Sequence, residues 1–404
     1  MANYRFGWCV GLVIGQYIDS FLPAIDGVIH VVRSYARILN GVGDACYVVA
    51  PAEPGYVDEE PFEVIRFRSV RVAQSRRQYR AGVPSLDIRY RQQSKGLRPD
   101  IVHAHTPFGC GLDALRIAGE MNIPLVATFH SKYYDDFRQV TGSDSLAKLG
   151  VRYVVWFLRR ADHVWTVSDA TVETLRAYGY RGSVEVMPNG ADAFKPPDAE
   201  ALIRRTRRDF HLDAGATFLF VGQLIRQKNV YLIVEALAML KQRYGDFRMV
   251  FVGEGNARAE LESLCRQNDL SEHVIFTGNI YDRDALQGLY LTADLFLFPS
   301  LYDNAPLVVR ESAALETPSL LIEGSHPAQG VTDGDNGYLC RESAASLCEK
   351  IEEVLADRAA LARVSRRALE TLPESWEDIV GRVREKYADI IERRRSCSKR
   401  APPL

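Results

Sequence analysis

Short apolar runs alternate with amphipathic helical stretches along almost the whole chain, and the pattern runs through twice. Such alternation dictates parallel α/β sheets, because parallel strands need a helical crossover between them. In the first half the runs predict strands at Leu12–Ile18, Ala45–Val49, Phe62–Ile65, Ile101–His103, Leu125–Thr128, Val164–Val167 and Val184–Met187. In the second half they predict strands at Thr217–Val221, Arg248–Val252, Val274–Thr277, Asp294–Phe298 and Ser319–Ile322. Between the halves, Pro188-Asn189-Gly190-Ala191-Asp192-Ala193-Phe194-Lys195-Pro196-Pro197 carries Asn-Gly and Pro-Pro breaks and reads as a hinge. The expectation is an N-terminal doubly wound domain over 1–190, a second over 198–375, and a charged helix over 376–394 that packs back on the first. Ligands of such sheets bind at the C-terminal ends of the strands. Two doubly wound domains with a cleft between them follow.

A length of 404 residues suits two to three domains. A net charge of −2 argues against a dedicated nucleic-acid binder. The seven cysteines (9, 46, 110, 265, 340, 348 and 397) show no Cys-x-x-Cys spacing, which fits reduced thiols in a cytoplasmic protein. Phe6 to Ile14 follows only one basic residue, is closed by no small-x-small cleavage site, and reads as a buried first strand rather than a signal peptide. No apolar run is long enough to span a bilayer.

The chemistry concentrates after strands. Asp303 and Glu311 bracket the start of a helix in Phe298-Pro299-Ser300-Leu301-Tyr302-Asp303-Asn304-Ala305-Pro306-Leu307-Val308-Val309-Arg310-Glu311. Carboxylates there suit sugar hydroxyls, and helix-start amides suit phosphate. Gly222-Gln223-Leu224-Ile225-Arg226-Gln227-Lys228 follows another strand, and its two cations could hold a diphosphate; a solvated loop is the competing reading. Gly253-Glu254-Gly255 allows close approach of a backbone or a flat base, and Gly278-Asn279-Ile280 could border the same pocket or be an ordinary turn. In the first half, Gly27 lies where backbone would approach phosphates, and His130 ends a buried strand; His103 and His105 end another. Asp333-Gly334-Asp335 sits in a turn-rich stretch and reads as a turn, not a metal site.

In combination these motifs resemble the retaining GT-B glycosyltransferases of family 4. The carrying residues are Pro23 to Val28, His130, Pro188-Asn189-Gly190 with Asp192, Lys228, Gly253 with Gly255, and Asp303 with Glu311. The pattern is nearest to diacylglycerol glucosyltransferase-like members. The resemblance implies two Rossmann-like domains and a hexose moved from a nucleotide sugar, a UDP-sugar, without a cofactor or metal. It implies that Glu311 holds the ribose, Asp303 the sugar hydroxyls, and the amides of Leu307 and Val308 the diphosphate. Lys228 would neutralise the leaving group, with Gly27 approaching it, and His130 would contact the donor sugar. The chain departs from the family at Gln223, where Arg is usual and Arg226 is the candidate substitute. It departs also at Asp303, where Glu is usual, at Pro306, where Gly is usual, and at Gln329, where an acid is common.

Ten Lys or Arg and one acid, Asp87, lie between Arg66 and Arg98, interleaved with Tyr79, Val83, Leu86, Ile88 and Tyr90. This stretch, assisted by Tyr153 to Arg160, could meet an anionic membrane on its cytoplasmic face; a solvated face and a core helix are the plainer readings. Three functions remain open: a membrane-associated transferase with a lipid acceptor, the same enzyme with a soluble glycan or small-molecule acceptor, and a weakly active sugar-nucleotide-binding protein.

Overall fold

The computed structural model describes residues 11–24, 26–71, 80–192, 195–212 and 215–400, with backbone alone for 397–400. The early part of the Phe6–Ile14 run, the central part of the Arg66–Arg98 stretch with Tyr79, and Ala193 and Phe194 of the hinge lie outside these residues. So do Cys9, the Cys397 side chain and the side chains of the basic tail from Ser398.

Fifteen strands are present among the described residues: β1 Val13–Tyr17, β2 Ala45–Pro51, β3 Val64–Phe67, β4 Val70–Arg71, β5 Arg80–Ala81, β6 Ile101–Ala104, β7 Leu125–Phe129, β8 His163–Thr166, β9 Glu185–Val186, β10 Ala216–Val221, β11 Phe247–Val252, β12 Val274–Gly278, β13 Leu295–Phe298, β14 Ser319–Ile322 and β15 Tyr338–Cys340. They form two compact units. One holds the described residues up to Asn189 and from Trp376 onward; the other is Gly190–Ser375.

In the first unit seven parallel strands run in the order β3-β2-β1-β6-β7-β8-β9. The order reverses at β1, which pairs with β2 on one side and β6 on the other. Its strands are apolar on both faces because helices cover both, as parallel sheets require. Tyr17, Val49, Ile65, Phe67, Val102, Phe129 and Phe157 are buried in its core. A small antiparallel ribbon, β4 with β5, was not anticipated; it lies in the basic stretch.

The helix Trp376–Arg400 completes this unit. Trp376, Ile379, Val380, Val383, Tyr387, Ile390 and Ile391 are all buried, a stripe at helical spacing. The helix lies beside Gly27–Gly41. Arg384 grips Asp44 through both carboxylate oxygens at 2.7 and 3.1 Å.

The second unit has six parallel strands in the order β12-β11-β10-β13-β14-β15. The order reverses at β10, which pairs with β11 from Ala216↔Phe247 to Val221↔Val252 and with β13 at Phe218↔Leu295. Phe218, Phe220, Phe247, Phe251, Phe296 and Phe298 fill its core. The loops after β10 and β13 therefore emerge side by side at the point where strand order reverses, which is where open α/β sheets bind ligands.

Candidate active site

The second unit builds its site from those two loops. Lys228 leaves the loop after β10, and its Nζ donates to Asp303 Oδ1 at 2.7 Å, in the loop after β13. The Ser300 hydroxyl donates to the other oxygen, Asp303 Oδ2, at 2.5 Å. Lys228 Nζ also sits 5.1 Å from the centroid of the Phe298 ring. The two side chains keep only 12% and 20% of their surface, so they face a confined space rather than bulk solvent.

Pro306 caps the next helix, Leu307–Ala314, with its ring holding φ at −68°. Leu307 and Val308 are then the first two helical residues. Their N–H groups have no partner within the helix by its geometry and point out of its positive end. One turn on, Glu311 Oε2 accepts the hydroxyl of Tyr290 at 3.2 Å. Tyr290 is fully buried, and burial together with the Glu311 carboxylate raises its pKa well above the ordinary value. The phenol therefore stays a donor and fixes the Glu311 Oε2 oxygen. Tyr290→Phe is expected to raise the donor KM about threefold and to cost roughly 1 kcal/mol of stability, the usual net value of one hydrogen bond; steady-state kinetics and a melt would check both.

Lys228, Asp303, Leu307, Val308 and Glu311 thus lie on the two adjacent loops and the helix they lead into. Gln223 follows β10 and is half-buried. Arg226 does not join Lys228. Its guanidinium pairs with Glu260 at 3.1 Å, stacks over Tyr231 at 4.6 Å and is 74% exposed. The alternation of the turn Arg226–Lys228 explains this, since neighbouring side chains of a 3-10 turn diverge. Arg226 is accordingly no structural replacement for an arginine at Gln223.

Gly253 and Gly255 lie close against backbone. A Cβ on Gly253 would meet the Gly222 carbonyl at 2.1 Å, and one on Gly255 the Leu224 carbonyl at 2.1 Å. Gly253 also holds φ at +128°, a conformation that side chains rarely adopt. Leu224 N–H donates to the Glu254 carbonyl at 3.0 Å, so the glycines clamp the loop that carries Lys228. Ile280 is half-buried and packs against the second core. Asp333 and Asp335 are held by Lys350 and Arg367, and among the described residues no three His, Cys, Asp or Glu are grouped for a metal.

In the first unit Gly27 opens the helix Gly27–Gly41, exposed, one residue after its cap Asp26. His130 follows β7 directly, and its Nε2 lies 3.1 Å from Nδ1 of the buried His105. Burial lowers the His130 pKa to about 3, so the ring is neutral near pH 7 and is not a general acid. Asp19, in the loop after β1, is occupied by structure. It takes the Thr106 hydroxyl at 2.5 Å and the Cys110 N–H at 2.8 Å, and burial raises its carboxyl above the usual range.

The basic stretch is not one uniform face. Arg66 is locked onto Asp58, the Pro51 carbonyl and the Leu22 carbonyl at 2.6–2.9 Å. Arg80 is held by Ser69, and Tyr90 is buried with its hydroxyl on Asp113 at 2.5 Å. These three drop out because their partners saturate them; Arg68, Arg71, Arg89, Arg91, Lys95 and Arg98 stay exposed beside Val83, Leu86 and Ile88. The helix Asp144–Leu158 buries Val151, Val154, Val155, Phe157 and Leu158 but exposes Leu146, Leu149 and Trp156. Among the described residues no helix is long and apolar enough to cross a membrane.

Sequence reasoning missed Tyr290, Ser300, Gln16 and Tyr387. It also missed Asn304 with His326, whose Nδ1 is 3.3 Å from the Asn304 side chain. Ser300 alone had a local signal, three residues before Asp303 in the same turn.

The profile described as Glycosyl transferases group 1 matches residues 203–371, and that described as Glycosyltransferase Family 4 matches residues 25–193. Alpha-monoglucosyldiacylglycerol synthase of Streptococcus pneumoniae is 26% identical over 313 residues, 76% of this chain and 70% of that protein. GDP-mannose-dependent alpha-mannosyltransferase of Mycobacterium tuberculosis is 26% identical over 392 residues, 95% of this chain and 98% of that one. Among solved structures, Anabaena HepE in complex with UDP and glucose superposes with a TM-score of 0.76 at 17% identity, covering 93% of this chain and 99% of that chain.

Proposed function

Because the chain belongs to the group 1 glycosyltransferases and has the two-domain GT-B fold, we propose that it moves a hexose from a UDP-sugar to a hydroxyl of a membrane lipid such as diacylglycerol, with retention at the transferred carbon. The observation that carries this reading is the Lys228–Asp303 pair beside the helix amides of Leu307 and Val308, at the reversal point of the second sheet. One cation and two amides suit a diphosphate, and one carboxylate suits sugar hydroxyls.

Glu311, steadied by Tyr290, would hold the ribose. The diphosphate would take Lys228, and the sugar would take Asp303, exchanging their mutual ion pair for two ligand contacts. Gln223, Gly253, Ile280 and Pro306 would shape the nucleotide's surroundings, and Gly27 and His130 are the first unit's candidates for the phosphate and a sugar hydroxyl. The bond from the sugar carbon to the diphosphate oxygen breaks, and the acceptor oxygen bonds to that carbon on the same face. The acceptor proton passes to the departing phosphate oxygen. Lys228 and the helix dipole stabilise the charge that develops there, so no metal is called for.

The choice of glucose with uridine, and of a lipid acceptor, leans on what similar proteins are named for. A screen of UDP- and GDP-sugars against diacylglycerol, glycolipid and soluble acceptors, read by mass spectrometry, tests it. Turnover only with a soluble acceptor would remove the lipid, and hydrolysis of no nucleotide sugar would remove the reaction.

The membrane face we assign to the ridge Leu146, Leu149 and Trp156, flanked by the exposed Lys148, Arg152, Arg159 and Arg160. Apolar side chains entering the headgroup layer beside cations suit an anionic surface. Each large apolar side chain contributes about 1.5–3 kcal/mol on burial. The double variant Leu149→Glu with Trp156→Glu is expected to weaken binding to anionic liposomes at low salt at least tenfold; flotation at the wild-type level would place contact elsewhere.

A further inference from the structure

A continuous chain of buried hydrogen bonds runs through the first unit behind His130. His105 Nδ1 is 3.1 Å from His130 Nε2, and His105 Nε2 is 2.7 Å from Gln16 Oε1. Gln16 Nε2 donates to the Tyr387 hydroxyl at 3.3 Å. That hydroxyl is 2.5 Å from His103 Nδ1, and His103 Nε2 is 2.6 Å from the Thr128 hydroxyl. Gln16, His103 and His105 have no exposed surface. Gln16 and His103 are register partners on adjacent strands, and His103 and His105 share a face at the two-residue spacing of a strand, their rings stacked at 4.1 Å. Tyr387 reaches them from the C-terminal helix.

With the amide as it stands, one assignment gives each donor and acceptor of this chain a partner. Gln16 Oε1 only accepts, so His105 carries its hydrogen on Nε2. Burial lowers the pKa of His105 well below the ordinary value, so the ring is neutral and its Nδ1 is a bare acceptor. His130 must then donate from Nε2 to reach it. A neutral His130 with hydrogen on Nε2 has its lone pair on Nδ1. At the other end, Tyr387 accepts from Gln16 Nε2, so its own hydrogen goes to His103 Nδ1, and His103 donates from Nε2 to Thr128. Every member is satisfied and all point one way. Turning the Gln16 amide over would reverse every bond at once and leave His130 with its hydrogen on Nδ1.

We propose that Gln16 and Tyr387 are positioning residues that hold His130 in the tautomer with hydrogen on Nε2, so that the ring meets a substrate hydroxyl with the lone pair of Nδ1. The proposal rests on the reading that His130 contacts a substrate. A ring fixed this way takes a hydroxyl hydrogen and orients that hydroxyl, and it gives no proton away. A histidine's tautomer is set by the bond made by its other nitrogen; here that bond is governed through His105 from two residues that lie on other elements.

The test uses the full chain with 15N-labelled histidine, read in long-range proton–nitrogen spectra. The expected result is a protonated Nε2 and a bare Nδ1 on His130. Tyr387→Phe, which removes one oxygen, is expected to give a mixture of tautomers and to lower kcat about threefold with the donor KM unchanged. Gln16→Met is expected to lower kcat about tenfold; if that variant fails to fold, Tyr387→Phe carries the test. A protonated Nδ1 in the unaltered chain, or unchanged ring nitrogens in the variants, overturns the proposal even where His130→Ala is inactive. Full turnover by His130→Ala overturns the underlying reading instead.

Discussion

Lys228→Ala is expected to lower kcat by about 10²- to 10³-fold, the loss typical when one group that stabilises developing negative charge is removed. Its Nζ is the cation that the structure places beside Asp303 and the helix carrying Leu307 and Val308. Folding should barely notice. Asp303 keeps its bond from Ser300 and retains some contact with solvent, so the stability loss should stay near 1 kcal/mol. Kinetics and a thermal melt on the same preparation separate the two effects. Arg226→Ala is the matched control. Its guanidinium is exposed and paired with Glu260, and such pairs contribute about 0–1 kcal/mol; turnover should stay within about twofold. Equal losses at both positions would show that the loop carries charge without the geometry described, and an active Lys228→Ala would remove the site.

The second large effect is acid sensitivity of the first unit. In an unfolded chain a histidine titrates near pH 6.5. In the folded unit burial depresses His103 and His105 well below this and His130 to about 3. Between those values the unfolded chain binds protons that the folded chain refuses. Stability is therefore complete above about pH 6.5 and declines as pH falls, by about 1.4 kcal/mol per pH unit for each group. His130 is partly covered only, so its share is the smallest. From pH 7.5 to 5 the three together should remove about 4–6 kcal/mol, comparable to the whole stability of many domains. Trp156, Trp165 and Trp376 belong to the first unit and the sequence 190–375 holds no tryptophan, so fluorescence does not report the second unit. Urea unfolding followed by fluorescence should lose most of its midpoint at pH 5, while circular dichroism retains a signal from the second unit. An unchanged fluorescence midpoint would mean that the histidines are protonated without cost.

The two sheets were readable because buried parallel strands announce themselves as continuous apolar runs, and β1, β2, β6, β7, β10, β11, β13 and β14 fall within a few residues of the expected segments. What escaped was short or polar. β15 is three residues beyond a turn-rich stretch, and β4 with β5 sits among arginines, where pairing is fixed by register and not by hydrophobicity. The positions of Lys228, Asp303 and Glu311 were legible because each sits at a fixed offset from a strand end. Arg226 was not, since a one-dimensional string gives no angle between residues two apart in a tight turn. The Gln16–His105–Tyr387 bonds were hidden for another reason: residues 371 positions apart share no local pattern, and a buried glutamine reads as a surface residue.

The helix Trp376–Arg400 has a bearing on how the molecule is made. A ribosome releases it only after both sheets have been synthesised, yet it supplies Trp376, Val383 and Tyr387 to the core of the first unit. The second unit, Gly190–Ser375, has its own core and is fully translated before that helix exists. Domains usually mature in the order in which they are translated; here the later-translated unit can finish first, and the earlier one waits, its histidines and Gln16 uncovered, for the closing segment. Deletion from Trp376 onward should therefore spare the second unit and leave the first a client of chaperones and proteases.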